Sequence, residues 1–393
     1  MTRTLRGQVA IVGIGESNYY KRGESTDAEF VLACRAIRAA CADAAVDVAD
    51  VDGFASYSND RNEPSRLAAA LGLKELHLSN MQWGSGGGGV SAAVGNAAAA
   101  IAAGSAECVV VFRALAQGQF GRFGQARKTA RVSGEAAFTV PYGLISPAQT
   151  FAMRTMRVLE AHGVPASTLR AVARAAYHHA QNNPRAVMHG HPLSDDEYDR
   201  SRWIVEPYHL YDCCLENDGA AAMVLVAAER APDLHAAPVY LLAAAQGGGY
   251  RAGAPSHNDP DYAGAGFATL APRLWRQAGI GPADVDVLQV YENFTGGVVM
   301  ALIEHGFCDF ANAGERLAFD NLIAPLGRLP LNTSGGNLAE CYMHGLGLQL
   351  EAVRQLRGTS CNQVPEAKIA LCAAGPMVPV TSTCLYGTRE ALA

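Results

Sequence analysis

The chain has 393 residues, 49% hydrophobic and 17% charged, enough for a large buried core and more than one structural unit. A formal net charge of −6 with no run of Lys or Arg excludes the electrostatic footprint of a nucleic-acid binder or of a protein held on an anionic membrane. Ten cysteines lie scattered without a C-x-x-C pair, and the start of the chain is short and polar, so reduced thiols in a cytoplasm are expected, with no metal centre.

Val9-Ala10-Ile11-Val12-Gly13-Ile14-Gly15 is a short apolar run closed by glycine, and it predicts a buried strand. Thr26-x-x-Glu29 offers a capping box to a following helix on which Phe30, Cys34, Ile37 and Cys41 share one face. Ala49-Asp50-Val51-Asp52 turns into a second strand. Residues 76–106 carry no Asp, Glu, Lys or Arg, a length that could span a membrane. Gly and Ala dominate there, with only Val90, Val94 and Ile101 adding bulk in the second half, so a tightly packed internal helix is predicted. Residues 113–205 then break the pattern with Gly, Gln, Arg, Pro and His around one helical stretch at 148–162, and read as an inserted lid. A strand resumes at Ala220-Ala221-Ala222-Met223-Val224-Leu225-Val226.

The second half repeats this order. Val239-Tyr240-Leu241-Leu242 predicts a strand, and Phe267, Leu270, Leu274 and Trp275 a helix that Pro272 kinks or starts late. Ala283-Asp284-Val285-Asp286 precedes a strand just as Ala49-Asp50-Val51-Asp52 does. A glycine-rich turn, a helix ended by glycine and a strand occur at 86–112 and again at 334–373. The reading is a duplicated α/β chain, each half a mostly parallel sheet covered by helices: residues 1–112 with 206–235, the insertion 113–205, and residues 236–393.

Four segments resemble the thiolase superfamily, specifically its sterol-carrier-protein-type branch: Val9 to Gly15 as written above, Asp212-Cys213-Cys214-Leu215-Glu216-Asn217-Asp218-Gly219-Ala220-Ala221-Ala222, Tyr291-Glu292-Asn293-Phe294, and Asn332-Thr333-Ser334-Gly335-Gly336. The resemblance covers essentially the whole chain and implies two βαβαβαββ halves in α-β-α-β-α layers. It also implies a nucleophilic cysteine at the start of the central helix, yet that position is Gly87 in Trp83-Gly84-Ser85-Gly86-Gly87-Gly88-Gly89. The family's His or Asn falls on Tyr291, and the His of its Gly-His-Pro-Leu-Gly-like stretch falls on Tyr342. With these departures the chain looks like the lipid-transfer-protein-type steroid side-chain aldolases, in which two tyrosines carry proton transfer.

That resemblance implies retro-aldol cleavage of a β-hydroxyacyl-CoA, a steroid 17-hydroxy-20-carboxyl-CoA thioester, to a ketone and propionyl-CoA. Tyr291 and Tyr342 are the expected proton carriers, with His344 and Asn293 as orienting groups and Cys372 at the place of a second thiolase cysteine. A phenol titrates near ~10, so the one acting as base needs a cation or hydrogen-bond donors, and which one that is stays open. Turns at Gly335-Gly336 and Gly375 are candidates for the oxyanion hole, and Gly87 for clearing room beside the thioester. No cofactor is expected beyond the CoA of the substrate. The resemblance further implies a homodimer working with a small zinc-ribbon/OB-fold protein in a heterotetramer or larger complex.

Two other readings compete: a thiolase-type acyltransferase on a bulky or aromatic β-ketoacyl-CoA with its cysteine elsewhere, and a non-catalytic acyl-CoA- or lipid-binding subunit. Gly13-Ile14-Gly15 lacks the third glycine of a dinucleotide site, and His178-His179 and His189-Gly190-His191 lack further ligands at metal spacing. Arg122, Arg127 and Lys128 are candidates for CoA phosphates, and Cys213 and Cys214 read as core.

Overall fold

The computed structural model describes all residues except 1–3, 59, 84–85, 123–130, 235–236, 251, 254–258 and 260. Its principal strands are β1 Val9–Glu16, β2 Gly53–Tyr57, β3 Leu78–Gln82, β4 Cys108–Ala116, β5 Asn217–Ala227, β6 Val239–Gly247, β7 Val287–Val290, β8 Ile369–Ala374 and β9 Thr381–Gly387. The helices that matter for the site are α1 Glu29–Asp43, α2 Pro64–Leu71, α3 Val90–Ala102, α4 Pro147–His162, α5 Ser167–Gln181, α6 Ala271–Ala278, α7 Thr295–His305 and α8 Leu346–Arg357. Among the described residues no helix is long and apolar enough to cross a membrane.

The nine strands form one path in the order β7-β8-β9-β6-β1-β5-β4-β2-β3. The first strands of the two halves meet at its centre, where Ala10 pairs with Tyr240 and Ile11 with Val239. Moving outward, each half runs through the same sequence of strands, and in the C-terminal half the third is reduced to a bridge between Leu288 and Leu331. The mostly parallel sheet expected for each half is in fact mixed. β5 runs antiparallel to both β4 and β1, and β9 antiparallel to both β8 and β6. These strands return by connections too short for a parallel crossover or come back from the far side of an insertion.

Side-chain alternation sorts the strands into layers. Val9 and Ile11 of β1, Val109, Val111 and Leu115 of β4, and Ala370, Cys372 and Ala374 of β8 turn into one central cluster with α3 and α8. Ala10, Val12, Val110 and Phe112 turn the opposite way onto α1 and α2, while Leu371 and Ala373 turn onto the outer helices of the second half. The result is the α-β-α-β-α stack, with α3 and α8 buried in the middle.

Glycine sets the tightest contact. A Cβ on Gly13 would sit 2.1 Å from Ala40 O, and one on Gly15 2.1 Å from Ala40 N, so these glycines let α1 lie directly on β1. The same contact corrects the helix face: α1 buries Leu32, Ala33, Ala36, Ile37, Ala40 and Cys41, leaving Phe30 and Cys34 at its flank. The Thr26–Glu29 capping box does not form. Ala28 is the N-cap, and Glu29 turns inward to accept from Arg61 Nε at 3.1 Å and Ala116 N at 2.8 Å.

Residues 76–106 are not one helix. They hold the edge strand β3, the glycine turn Gly86–Gly89 and α3, because the glycines break the helix before Val90. Pro272 sits in the first turn of α6, starting that helix at Ala271 and leaving the buried Phe267 ahead of it. The insertion contains α4 and also α5, which the sequence reading missed. Leu169, Val172, Ala173, Ala176, Tyr177 and Ala180 form its buried stripe, interrupted on paper by His178-His179. His179 is buried, its Nε2 accepting from Ala324 N at 2.9 Å. Val187 N and Met188 N then bond to Glu340 O and Ala339 O, so the insertion is laced to the segment leading into Tyr342.

Candidate active site

Tyr291 continues directly from β7, its N–H donated to Ala373 O at 2.9 Å. The side-chain amide of Asn332 imitates a neighbouring strand: its Oδ1 accepts from Val290 N and its Nδ2 donates to Val290 O, both at 2.8 Å. Asn332 Nδ2 also donates to Glu292 Oε1 at 2.7 Å, and Asn337 Nδ2 to Glu292 Oε2 at 3.0 Å. Tyr291 is therefore held on both sides. A Cβ on Gly336 would stand 1.8 Å from Glu292 Oε1, so this glycine makes room for the carboxyl group. Burial lifts the Glu292 carboxyl to about 8, against the backbone and Asn donors that lower it.

Tyr342 follows a wide turn, Gly336–Glu340, closed by a bond from Cys341 N to Gly336 O at 3.1 Å. Asn217, the signature residue that opens β5, fixes the next step: its Oδ1 accepts from Tyr342 N at 2.6 Å and its Nδ2 reaches Cys341 Sγ at 2.7 Å. Asp218 beside it accepts from Gly23 N at 2.7 Å and Gly118 N at 2.8 Å. Asn217 is thus a clamp on Tyr342, while Asp218 ties down the backbone at Gly23 and Gly118.

These turns bring the two phenols together. Tyr291 Oη and Tyr342 Oη are 2.6 Å apart, with ring centroids at 6.0 Å and planes at 58°. Both residues are buried, 2% and 7% exposed. The ring of Tyr291 lies over Gly87, where an added Cβ would be 1.9 Å from Tyr291 Cε2 and 2.5 Å from its Oη. Gly345 gives way on the other side, its Cβ position 2.7 Å from Tyr291 Cδ2. The volume expected to be open at Gly87 is therefore filled by the phenol itself.

Burial raises both phenols well above the ordinary value, but the pair is not symmetric. Tyr342 is eased downward by the hydrogen bond from Tyr291 and by the charge of Arg113. Tyr291 is pushed further up by Tyr342, and Cys214 raises both phenols. Either phenol can donate in the bond between them, and Arg113 is a cation whose charge acts on Tyr342.

Along the whole chain, the 17-hydroxy-3-oxo-4-pregnene-20-carboxyl-CoA lyase of Mycobacterium tuberculosis is 40% identical over 389 residues, covering 97% of this chain and 100% of that protein. The chain belongs to the thiolase superfamily, in the steroid side-chain aldolase branch. A steroid side-chain-cleaving aldolase of Thermomonospora curvata is 37% identical, covering 98% of this chain and 99% of the relative. A family profile described as thiolase C-terminal domain-like matches residues 252–388. Among solved structures, the Ltp2-ChsH2(DUF35) aldolase superposes with a TM-score of 0.89 at 37% identity, covering 98% of this chain and 99% of that one. Human mitochondrial 3-ketoacyl-CoA thiolase, at 14% identity and a TM-score of 0.69, shares the fold.

Within this aldolase branch member the remaining predicted residues divide. His344 adjoins Tyr342 edge to face, centroids 5.0 Å apart, and burial together with Arg113 and Arg61 keeps its imidazole neutral. Asn293 folds its Oδ1 back onto Phe294 N at 2.9 Å, shaping the turn after Tyr291. Cys372 faces the central layer with its Sγ 3.9 Å from Leu348 O, and burial raises its thiol well above the usual value, as expected for core. Gly335 donates its N–H to Asn332 O at 2.9 Å, which takes it out of any oxyanion hole, and Gly336 N lies 3.4 Å from Ser334 Oγ. Gly375 packs backbone to backbone on Gly88, where a Cβ would come within 2.1 Å of Gly88 Cα. Arg122 pairs with Glu216 at 3.5 Å, while Arg127 and Lys128 lie outside the described residues.

Four site residues were missed at the level of sequence. Cys214, read as core, is only partly buried as a residue and stands near enough to both phenols to raise each of them. Glu292 and Asn217 sat inside the quoted motifs and were passed over as spelling. Arg113 carried one available signal, a lone charge inside the apolar run Val109-Val110-Val111-Phe112-Arg113-Ala114-Leu115.

Proposed function

We propose that this chain is a retro-aldol carbon–carbon lyase acting on a steroid side chain bearing a β-hydroxyacyl-CoA, a 17-hydroxy-20-carboxyl-CoA thioester, and releasing a ketone and propionyl-CoA. The observation that carries this reading is the 2.6 Å phenol pair whose Tyr291 ring occupies the place of a nucleophile's side chain over Gly87. The names of the two relatives give the substrate class.

The reaction needs one ionised phenol in the pair. Tyr342, as phenolate accepting from Tyr291, takes the β-hydroxyl proton. The Cα–Cβ bond breaks, its electrons pass to the thioester as an enolate, and the β carbon becomes the ketone carbonyl. Tyr291 then gives its proton to the α carbon. That leaves Tyr342 protonated and Tyr291 ionised, and one proton crossing the 2.6 Å hydrogen bond restores the starting state. The apposed Gly87-Gly88 and Gly375 turns are assigned to the thioester oxygen, where backbone N–H groups stabilise the enolate. No cofactor beyond the substrate's CoA enters the scheme.

An acyl-cysteine route fits poorly. A nucleophilic thiol needs a lowered pKa, whereas burial raises Cys214, Cys341 and Cys372 well above the usual value. Intact-mass spectrometry during turnover is expected to find no acyl adduct while the ketone and propionyl-CoA accumulate in equal amounts. A trapped acyl-protein, or a product requiring free CoA, would sink the proposal. Iodoacetamide is a poor discriminator, since a group added to Cys214 would also crowd the phenols.

The assembly proposed is a homodimer together with a small zinc-ribbon/OB-fold protein. Supporting the first is the sheet edge β3, with Met81 42% and Trp83 87% exposed beside the Gly86–Gly89 turn. Supporting the second is the two-protein name of the similar aldolase structure.

A further inference from the structure

Arg113 lies on β4, on the same side as Val109, Val111 and Leu115, and so points into the central layer that holds Tyr291 and Tyr342. It is 3% exposed, and burying a guanidinium there is costly unless it is paired and hydrogen-bonded. Its Nη1 donates to Tyr57 O and pairs with Asp60 at 3.3 Å, and its Nη2 donates to Ser58 O at 3.1 Å. Its Nε is buried with no hydrogen-bond partner among the described residues.

The two residues whose carbonyls it holds reach both sides of the site. Tyr57 Oη bonds Met343 O at 3.2 Å and His344 O at 3.1 Å, the two carbonyls after Tyr342. His344 is kept at a φ of +47°, a conformation that needs such anchoring. Ser58 Oγ bonds Gly86 O at the head of the glycine turn.

The groups facing Tyr342 are Tyr291 after β7, Cys214 ahead of β5, Tyr57 at the end of β2, the neutral His344 in its own turn, and Arg113 from β4. Among the described residues named here, Arg113 is the cation.

We propose that Arg113 is the positioning residue of Tyr342: through Tyr57 it fixes the turn that carries the phenol, and its positive charge stabilises the ionised phenol pair. Asp60, itself buried, sets how much of that charge is left for the pair. The inference rests on Tyr342 being the base of the lyase reaction.

The test is the pH profile of kcat/KM on a β-hydroxyacyl-CoA, with the co-purified partner present. In the wild type the rate rises with pH, because the active form has lost a proton that burial holds tightly. Arg113→Met raises the cost of that loss, moving the rising limb to higher pH and lowering the rate at a fixed pH by about tenfold for each unit moved. Asp60→Asn moves the limb the opposite way and increases the rate on it several-fold. A residue that only braces the fold could not yield this acceleration. Arg113→Lys keeps the limb in place at a reduced kcat, since the charge stays and the two-carbonyl fork is lost. Tyr57→Phe likewise lowers kcat without moving the limb.

Should Arg113→Met not fold, the Asp60→Asn and Arg113→Lys pair decides. Limbs that stay put in Arg113→Met, or an Asp60→Asn profile that is only depressed, overturn the inference while an inactive Tyr342→Phe leaves the lyase reading standing. Full turnover by Tyr342→Phe overturns both.

Discussion

Tyr342→Phe is expected to lower kcat on a β-hydroxyacyl-CoA by roughly 10²–10⁴-fold, the usual worth of a positioned acid or base, with little change in KM. Only the hydroxyl is lost. The ring keeps its packing, Tyr342 N still reaches Asn217 at 2.6 Å, and the fold should hold, so far-UV spectra and melting temperature serve as controls. Tyr291→Phe removes the other half of the 2.6 Å bond and should be of similar size, because the α carbon then lacks its proton donor and Tyr342 loses the group that steadies its charge. The double variant should be little worse than either single one. Two phenols that share one proton act as a unit, and such effects do not add. Turnover of either single variant within a few-fold of wild type is incompatible with the proposed chemistry.

Gly87→Ala should abolish turnover by adding one carbon. The new Cβ would lie 1.9 Å from Tyr291 Cε2 and 2.1 Å from Cζ, and the ring has no retreat, since Gly345 already gives way behind it. Either the ring tilts and the phenol hydrogen bond breaks, or the glycine turn shifts. The overpacking should cost about 1–3 kcal/mol, read as a fall in denaturation midpoint. In a Tyr291→Ala background, itself inactive and weakened by the cavity left, adding Gly87→Ala should cost little further stability, a pattern that separates steric conflict from a backbone requirement at Gly87. The same geometry explains why Gly87→Cys would not revive thiolase chemistry in this chain: thiol and phenol claim one volume. A Gly87→Ala protein with wild-type turnover would show the Tyr291 ring to be misplaced.

The sequence alone carried much of this. The repeated Ala-Asp-Val-Asp before a strand, and the repeated glycine turn, helix and strand, follow from local rules of turn chemistry and apolar runs, and they are enough for a duplicated layered α/β fold. The lack of a thiol at Gly87 and the presence of tyrosines at 291 and 342 can be read one position at a time. Strand direction was less legible: the antiparallel β5 and β9 look like any other buried apolar run, because period-2 patterning says nothing about which way a neighbour points. α5 was lost because the His and Gln within it masked a regular apolar stripe.

What only the tertiary structure decided is how distant segments share space. Gly87 and Tyr291 belong to different halves, and nothing local tells that the ring of one fills the missing side chain of the other. Asn217 reaches across to Tyr342, and Arg113 faces the same buried layer, for the same reason. Residue types are local and can be read in order. The electrostatics of a phenol depend on which charges and donors the packed layers bring within a few ångströms, and that is set only when both halves close on their two central helices.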